Sequence, residues 1–206
     1  MFSENSSSRA ASSKTGEAGQ TLLELIIVVS VSVIIIGALV FATISSLRNA
    51  QFSKNQSQAT KLAQAGIEQV RIGRDRNQCV NILGTSVNSW NGNSSNQSCP
   101  GAGSVWGYQI TGIAGNCENT TVPSKCYFRV DSTGSLSVNG FSRASFPDDV
   151  AEGIPAVSPV FRRVIVLSDD ATTYGSQKTV TAIVKWVDFS GSHQSQLTTI
   201  LRNLTQ

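Results

Sequence analysis

The sequence predicts an α+β protein: a long N-terminal helix, membrane-spanning in its first half, packed on an antiparallel C-terminal β-sheet of about four to six strands. Three observations support this fold class. Residues 25–42 contain neither a charge nor a proline. Apolar residues then recur with the period of a helix, and beyond Lys125 they recur with the period of a strand.

The apolar stretch from Leu25 to Ala42 has the length of a membrane span. At a rise of 1.5 Å per residue, about 18 helical residues cover roughly 27 Å, close to the thickness of the hydrocarbon core of a bilayer. We therefore predict a transmembrane segment at about residues 22–44. Glu24 lies at its leading edge. An ionised carboxylate in lipid is costly, so Glu24 is either a functional residue or a side chain hydrated at the headgroup level.

The residues around Glu24 carry a family resemblance. The segment Gly19-Gln20-Thr21-Leu22-Leu23-Glu24-Leu25 resembles the cleavage motif of type IV prepilins and type II secretion pseudopilins. That resemblance implies peptidase cleavage between Gly19 and Gln20, N-methylation of Gln20, and pairing of Glu24 with the amino terminus of a neighbouring subunit. The chain departs from the family pattern in having Gln20 in place of the usual Phe, and Phe41 near the place of a helix-kinking Pro.

The same resemblance implies a domain organisation and a location. Residues 1–19 would be a cytoplasmic leader that is removed, residues 20–76 the pilin helix, and residues 77–206 a disulfide-containing head rich in β-strands. The protein would span the membrane once with its head outside and then enter a filament at the cell surface. The implied partners are other pilin subunits, the prepilin peptidase and methyltransferase, the pilus assembly platform and the membrane.

The second half of the predicted helix is amphipathic. The helix is expected from Thr21 to about Arg76, where Gly73 and a polar run end it. Its apolar residues follow the spacing i, i+3, i+4, i+7, i+8, i+11, which forms one stripe on a solvated helix and is best explained by packing under the sheet. These residues are Ala59, Leu62, Ala63, Gly66, Ile67 and Val70.

Alternating apolar residues predict the strands of the head. Residues 79–126 are rich in turn-forming residues and contain one candidate strand, Val105–Ile110. A hairpin is predicted around the turn Asp131–Gly134, and Phe146–Pro159 is a long connection. The predicted strands beyond residue 125 are Tyr127–Val130, Leu136–Val138, Phe161–Leu167, Lys178–Phe189 and Gln196–Leu201. The last two strands, around Trp186 and Gly191, resemble the C-terminal sheet of minor pilins and of the type IV pilus modification family.

The four cysteines predict disulfides. Cys79, Cys99, Cys117 and Cys126 all follow the apolar stretch, and an even number in a secreted domain allows three connectivities. We favour the sequential pairs Cys79–Cys99 and Cys117–Cys126, each stabilising the fold by roughly 3 kcal/mol in the chain-entropy model. A zinc site is disfavoured because no Cys-x-x-Cys is present and the single histidine, His193, is distant in sequence.

No arrangement of residues predicts an enzyme, a cofactor or a metal. His193 is interpreted as a solvated turn residue. The pairs Asp148-Asp149 and Asp169-Asp170 could bind Ca²⁺, but they lack the ligand spacing of a calcium loop and are better explained as solvated acidic turns. Charged residues make up 14% of the chain and the net charge is +3, so the sequence shows no nucleic-acid footprint.

The predicted function is therefore structural. The chain is interpreted as a minor pilin-like subunit of a type IV pilus, or of a related type II secretion or DNA-uptake pseudopilus. The main alternative is a single-pass, membrane-anchored adhesin or binding module that never polymerises. A tethered secreted enzyme is a third possibility, disfavoured by the missing catalytic set. A simple anchor requires neither Gly19 nor Glu24, which makes these two residues the discriminating feature.

Overall fold

A computed structural model describes residues 17–82, 86–92, 99, 103–110, 125–138, 145–149, 151–154 and 160–204. The chain divides into two compact units, residues 1–52 and residues 53–206, each of which is described by itself. One α-helix, α1, runs from Glu17 to Asp75. It begins before the predicted Thr21 and ends one residue before the predicted Arg76. Its residues from Ser53 onward belong to the second unit, together with the head.

The described part of the first unit is the apolar part of α1. Its large apolar side chains are exposed, by 40% at Phe52 and by up to 76% at Phe41. The hydroxyls of Ser30, Ser32 and Thr43 donate hydrogen bonds of 2.7–2.8 Å to backbone carbonyls one turn earlier, which satisfies polar groups that lipid could not. The helix is long and apolar enough to span a membrane, consistent with a single-pass anchor.

The second unit contains an eight-stranded mixed sheet. Seven strands follow the order β2-β1-β4-β3-β6-β7-β8, and β5 pairs with β6 on the side of β6 that also contacts β3. The pair β1–β4 is parallel and all other pairs are antiparallel. The strands are β1 (Cys79–Ile82), β2 (Ser86–Ser89), β3 (Tyr127–Val130), β4 (Leu136–Val138), β5 (Glu152–Ile154), β6 (Phe161–Ser168), β7 (Gln177–Asp188) and β8 (Gly191–Arg202).

The α+β prediction is confirmed, while several details of the sheet differ from it. Strands β3, β4, β6, β7 and β8 coincide with predicted strands, and β8 starts five residues before the predicted Gln196. Strands β1, β2 and β5 were not predicted, because they lie in the turn-rich region and in the connection, where no apolar alternation marks a strand. The sheet is consequently larger than predicted and includes one parallel pair.

The prediction of a strand at Val105–Ile110 is wrong. Val105–Gly107 forms a 3₁₀ helix, with Ser104 as its N-cap and the Ser104 hydroxyl accepting a hydrogen bond from the backbone N–H of Trp106 at 3.2 Å. The Trp106 ring packs on Trp90 at a centroid distance of 5.4 Å. Local capping and burial of the indole therefore override the apolar character that suggested a strand.

The predicted stripe on α1 packs under the sheet, as expected. Ala59, Ala63, Ile67 and Val70 are at most 4% exposed and share one core cluster with strand residues. Gly66 brings the helix close to β6, because a methyl group at this position would stand 3.0 Å from Arg163 Cδ. The strand residues that complete this core include Phe128, Leu136, Ile165, Val180, Ala182, Val184, Trp186 and Leu201.

Candidate assembly site

The N-terminal motif lies at the start of α1. Gly19 and Gln20 belong to the first turn of the helix. Glu24 is exposed on the helix, and no residue in the described part of the chain forms an ion pair with it. The carboxylate thus stands on the surface of an apolar helix, where a cation from another molecule can reach it.

The C-terminal end of α1 is held against the β3–β4 turn. A methyl group at Gly73 would stand 2.1 Å from the Gly134 carbonyl oxygen, so only glycine allows this approach. The turn is closed by Asp131, whose Oδ1 accepts hydrogen bonds from the backbone N–H groups of Thr133 and Ser135 at 2.8 and 2.9 Å. Burial alone would raise the pKa of the Asp131 carboxyl, but a hydrogen bond from the Thr133 hydroxyl and the backbone hydrogen bonds hold it below its ordinary value.

Arg163 on β6 joins the sheet to α1. Its guanidinium donates to the Leu62 carbonyl at 3.0 Å and to Gln69 Oε1 at 2.7 Å. It also forms an ion pair of 2.7 Å with Glu152 on the short strand β5, and its side chain is only 4% exposed. The sequence pattern did not indicate this role. The available signal was a charged residue at an inward-facing position of β6, in alternation with the apolar residues Phe161 and Ile165.

A buried ion pair between Lys178 and Asp169 contradicts the interpretation of Asp169 as part of a solvated acidic turn. Lys178 Nζ donates to Asp169 Oδ2 and to the Tyr108 carbonyl, and both charged side chains are completely buried. Asp169 also accepts a hydrogen bond of 2.9 Å from the Ile110 N–H. Burial lowers the pKa of Lys178, and the Asp169 carboxylate opposes this shift. Asp169 is therefore a structural carboxylate rather than part of a solvated turn.

The remaining described carboxylates of the two pairs also have protein partners. Asp148 forms an ion pair of 2.6 Å with Lys185, and Asp170 accepts hydrogen bonds from the Thr172 hydroxyl and from its backbone N–H at 2.5 and 2.8 Å. Within the described ranges, no group of three or more His, Cys, Asp or Glu side chains is placed to hold a metal ion.

The β7–β8 hairpin places Asp188, Ser190 and His193 together. His193 lies on β8 opposite Trp186, with ring centroids 5.5 Å apart, so its interpretation as a solvated turn residue is wrong. Its Nε2 contacts both Ser190 Oγ at 2.9 Å and Asp188 Oδ1 at 3.0 Å. A catalytic triad uses the two ring nitrogens separately, so this trio closes a hairpin and does not form a nucleophile. The Ser190 hydroxyl chiefly lowers the pKa of Asp188 to about 2.

The disulfide prediction is confirmed where the structure describes it. Cys79 and Cys99 are bonded with their Cα atoms 5.6 Å apart. Cys126 is also disulfide-bonded, while Cys117, its predicted partner, lies outside the described residues. The described disulfide joins the first residue of β1 to the loop segment that precedes the 3₁₀ helix.

No protein-family model, no curated protein and no solved structure matches this chain. A functional proposal rests on the residues and the contacts of this chain alone. A membrane-length helix carries an exposed acid near its start, and the C-terminal part of that helix is fixed to a sheet by buried polar and apolar contacts.

Proposed function

We propose that the protein is a structural subunit of a type IV pilus, or of a related type II secretion or DNA-uptake pseudopilus, in a minor pilin-like role. The observation that carries the proposal is the combination of Gly19 and Glu24 with one continuous helix, Glu17–Asp75, that begins apolar and ends inside a folded head. A membrane anchor without assembly requires the apolar stretch but neither of the two motif residues.

In this proposal, Glu24 sets the spacing between subunits. Cleavage after Gly19 would give each subunit a free α-amino group at Gln20, which can pair with the Glu24 carboxylate of a neighbour. Opposite charges attract strongly in the low dielectric of a membrane or a helix core, and burying the acid alone would be costly. The pair would therefore fix the axial offset of adjacent helices.

The exposed apolar surface of α1 would allow exchange between membrane and filament. Side chains such as Leu25, Ile35 and Phe41 are 53–76% exposed in the single chain. In the bilayer they would contact lipid, and in the filament they would contact the helices of other subunits. Since both surroundings are apolar, the transfer changes the hydrophobic free energy little, so an assembly motor could drive it in either direction.

The proposal assigns a topology and a set of partners. Residues 1–19 would be removed on the cytoplasmic side by a prepilin peptidase that also methylates Gln20, and the head would lie outside the cell. The assembly platform would extract the helix, and the contacts of Arg163 with Leu62 and Gln69 would keep the sheet packed on the C-terminal part of the helix as it is pulled.

Mass spectrometry of filaments sheared from the source cells tests the proposal. We expect an N-terminal peptide that begins at methylated Gln20, in a small ratio to another pilin. The Gly19→Val variant should retain residues 1–19 and be absent from filaments, whereas Glu17→Gln, two residues away, should be processed normally. Detection of only the full-length chain, in the membrane fraction, would replace the proposal with the non-polymerising anchored binding module.

A second variant separates assembly from processing. We expect Glu24→Gln to be cleaved after Gly19 but to enter filaments far less efficiently, because its neutral side chain cannot pair with a charged amino terminus. Incorporation of Glu24→Gln at the level of the unmodified protein would contradict the assigned role of Glu24.

A further inference from the structure

Strand β8 forms one edge of the sheet. It runs over twelve residues, Gly191–Arg202, about twice the usual length of a strand. It pairs with β7 along its full length and is last in the strand order, so no described strand lies on its other side. Such an edge presents a row of backbone N–H and C=O groups to the surroundings.

The hairpin register shows which residues present these groups. Asp188 and Gly191 flank a two-residue turn and therefore form a hydrogen-bonded pair. Because hydrogen-bonded and non-bonded pairs alternate, the even-numbered residues of β8 direct their backbone groups away from β7. Their side chains are exposed on the face of the sheet opposite α1. The residues are Ser192, Gln194, Gln196, Thr198 and Ile200; Arg202 follows the same pattern, but its carbonyl accepts a hydrogen bond from Arg74.

This edge carries none of the features that usually prevent pairing with another chain. Residues 192–201 contain no proline, no glycine and no Lys, Arg, Asp or Glu. The register with β7 is unbroken from Gln177 opposite Arg202 to Asp188 opposite Gly191, so no bulge twists the edge away. An extended polypeptide is the ligand that matches the repeat of free donors and acceptors.

We propose that β8 binds β8 of a second copy of this chain in antiparallel orientation, with a two-fold axis at Gln196. In this register Gln196 faces its own equivalent and Gln194 faces Thr198, so all five outward residues are paired. Antiparallel pairing also separates the two Arg202 side chains by about 40 Å, whereas in-register parallel pairing would place like charges side by side. Arg202, the one Lys, Arg, Asp or Glu side chain of β8, thus favours the antiparallel arrangement.

The two-fold axis determines how the two paired heads are oriented. It reverses the direction of the second unit, including helix residues 53–75, in one copy relative to the other. The contact therefore joins heads that point in opposite directions, such as those on two filaments or two cells, and it goes beyond the assembly of a single filament. It does not depend on the proposed function, because full-length chain in detergent should pair whether or not it is processed.

Cysteine cross-linking of the full-length chain in detergent micelles tests the register. Hydrogen-bonded antiparallel pairs have Cα atoms about 5.5 Å apart, within the range of a disulfide. We expect Gln196→Cys alone to form a covalent dimer under mild oxidation. Gln194→Cys or Thr198→Cys alone should not, whereas a mixture of these two variants should. Equal cross-linking of all three single variants, or of none, would overturn the proposal.

A proline variant tests the pairing without a cross-link. Gln196→Pro removes an outward N–H and leaves the β7–β8 hydrogen bonds in place. We expect it to weaken the dimer in sedimentation experiments by at least about tenfold while the thermal unfolding midpoint stays close to that of the original chain. Thr179→Ala, on the same face of the sheet but on the inner strand β7, is the matched control. Photo-cross-linking from position 196 in the source cells to a different protein, in place of a second copy, would also overturn the proposal.

Discussion

Gly134 lies directly against Gly73: a methyl group at Gly134 would stand 2.5 Å from the Gly73 backbone nitrogen. Gly134 also has a φ of +91°, which L side chains rarely adopt. The turn between β3 and β4 and the end of α1 therefore meet through backbone alone. This contact positions the helix end over the sheet.

We predict that Gly134→Ala lowers the free energy of unfolding of the head by at least about 2 kcal/mol, because it combines a strained φ with a steric clash. Chemical denaturation of the full-length chain in detergent, followed by tryptophan fluorescence, measures the change. Gly153→Ala is the control, since a methyl group there meets nothing within 4 Å and its φ is not positive. Similar effects of the two variants would contradict the assigned contact.

The buried pair of Lys178 and Asp169 leads to a second prediction. Lys178→Met leaves the Asp169 carboxylate without its cation in a completely buried site, so we expect a loss of about 3–5 kcal/mol of unfolding free energy. Lys185→Met breaks the more exposed pair with Asp148 and should cost less than about 1 kcal/mol. The same denaturation experiment compares them, and equal losses would show that burial does not decide the effect.

The pH dependence of the hairpin follows from Asp188. Its pKa is lowered to about 2, chiefly by the hydrogen bond from the Ser190 hydroxyl. The ionised carboxylate of Asp188 is therefore more stable in the folded chain than in the unfolded chain. The resulting stability is present above the unfolded pKa of about 4 and is lost as the pH falls towards 2. We expect Asp188→Asn to make thermal stability less dependent on pH between these values.

Ser190→Ala provides an independent check of the same site. Removing the hydroxyl should raise the pKa of Asp188 towards its ordinary value, which an NMR titration of the carboxyl group can follow. A pKa that stays near 2 in this variant would show that the hydroxyl is not the main cause.

The disulfide Cys79–Cys99 should stabilise the head mainly by restricting the unfolded chain. Its two residues are separated by 20 positions, so the chain-entropy model gives roughly 3 kcal/mol. We expect the variant with both cysteines changed to serine to lose about this amount in denaturation experiments. The reduced form of the original chain should show a loss at least as large, since reduction acts on every disulfide present.

The parts of the fold that local pattern dictates could be predicted from the sequence. An unbroken apolar run has few alternatives to a helix of membrane length, and the spacing from Ala59 to Val70 leaves one apolar side that a sheet can cover. The strict alternation at Val180, Ala182, Val184 and Trp186 similarly determines which face of β7 is buried. The order of the cysteines along the chain likewise favours the pair Cys79–Cys99.

The rest was decided by tertiary contacts between residues far apart in sequence. Strands β1, β2 and β5 lie in stretches whose local composition indicates turns and connections. β1 is placed beside β4 by a parallel pairing across more than fifty residues. Nothing local shows that Asp169 loses all contact with water or that Arg163 reaches the Leu62 carbonyl, because both depend on partners supplied by the folded chain. The sequence by itself therefore determined the membrane-length helix, its buried stripe and the long strands, whose periodicity is local. Only the tertiary structure decided the size of the sheet, its exposed β8 edge and the buried charges, because desolvation and strand pairing arise when distant segments meet.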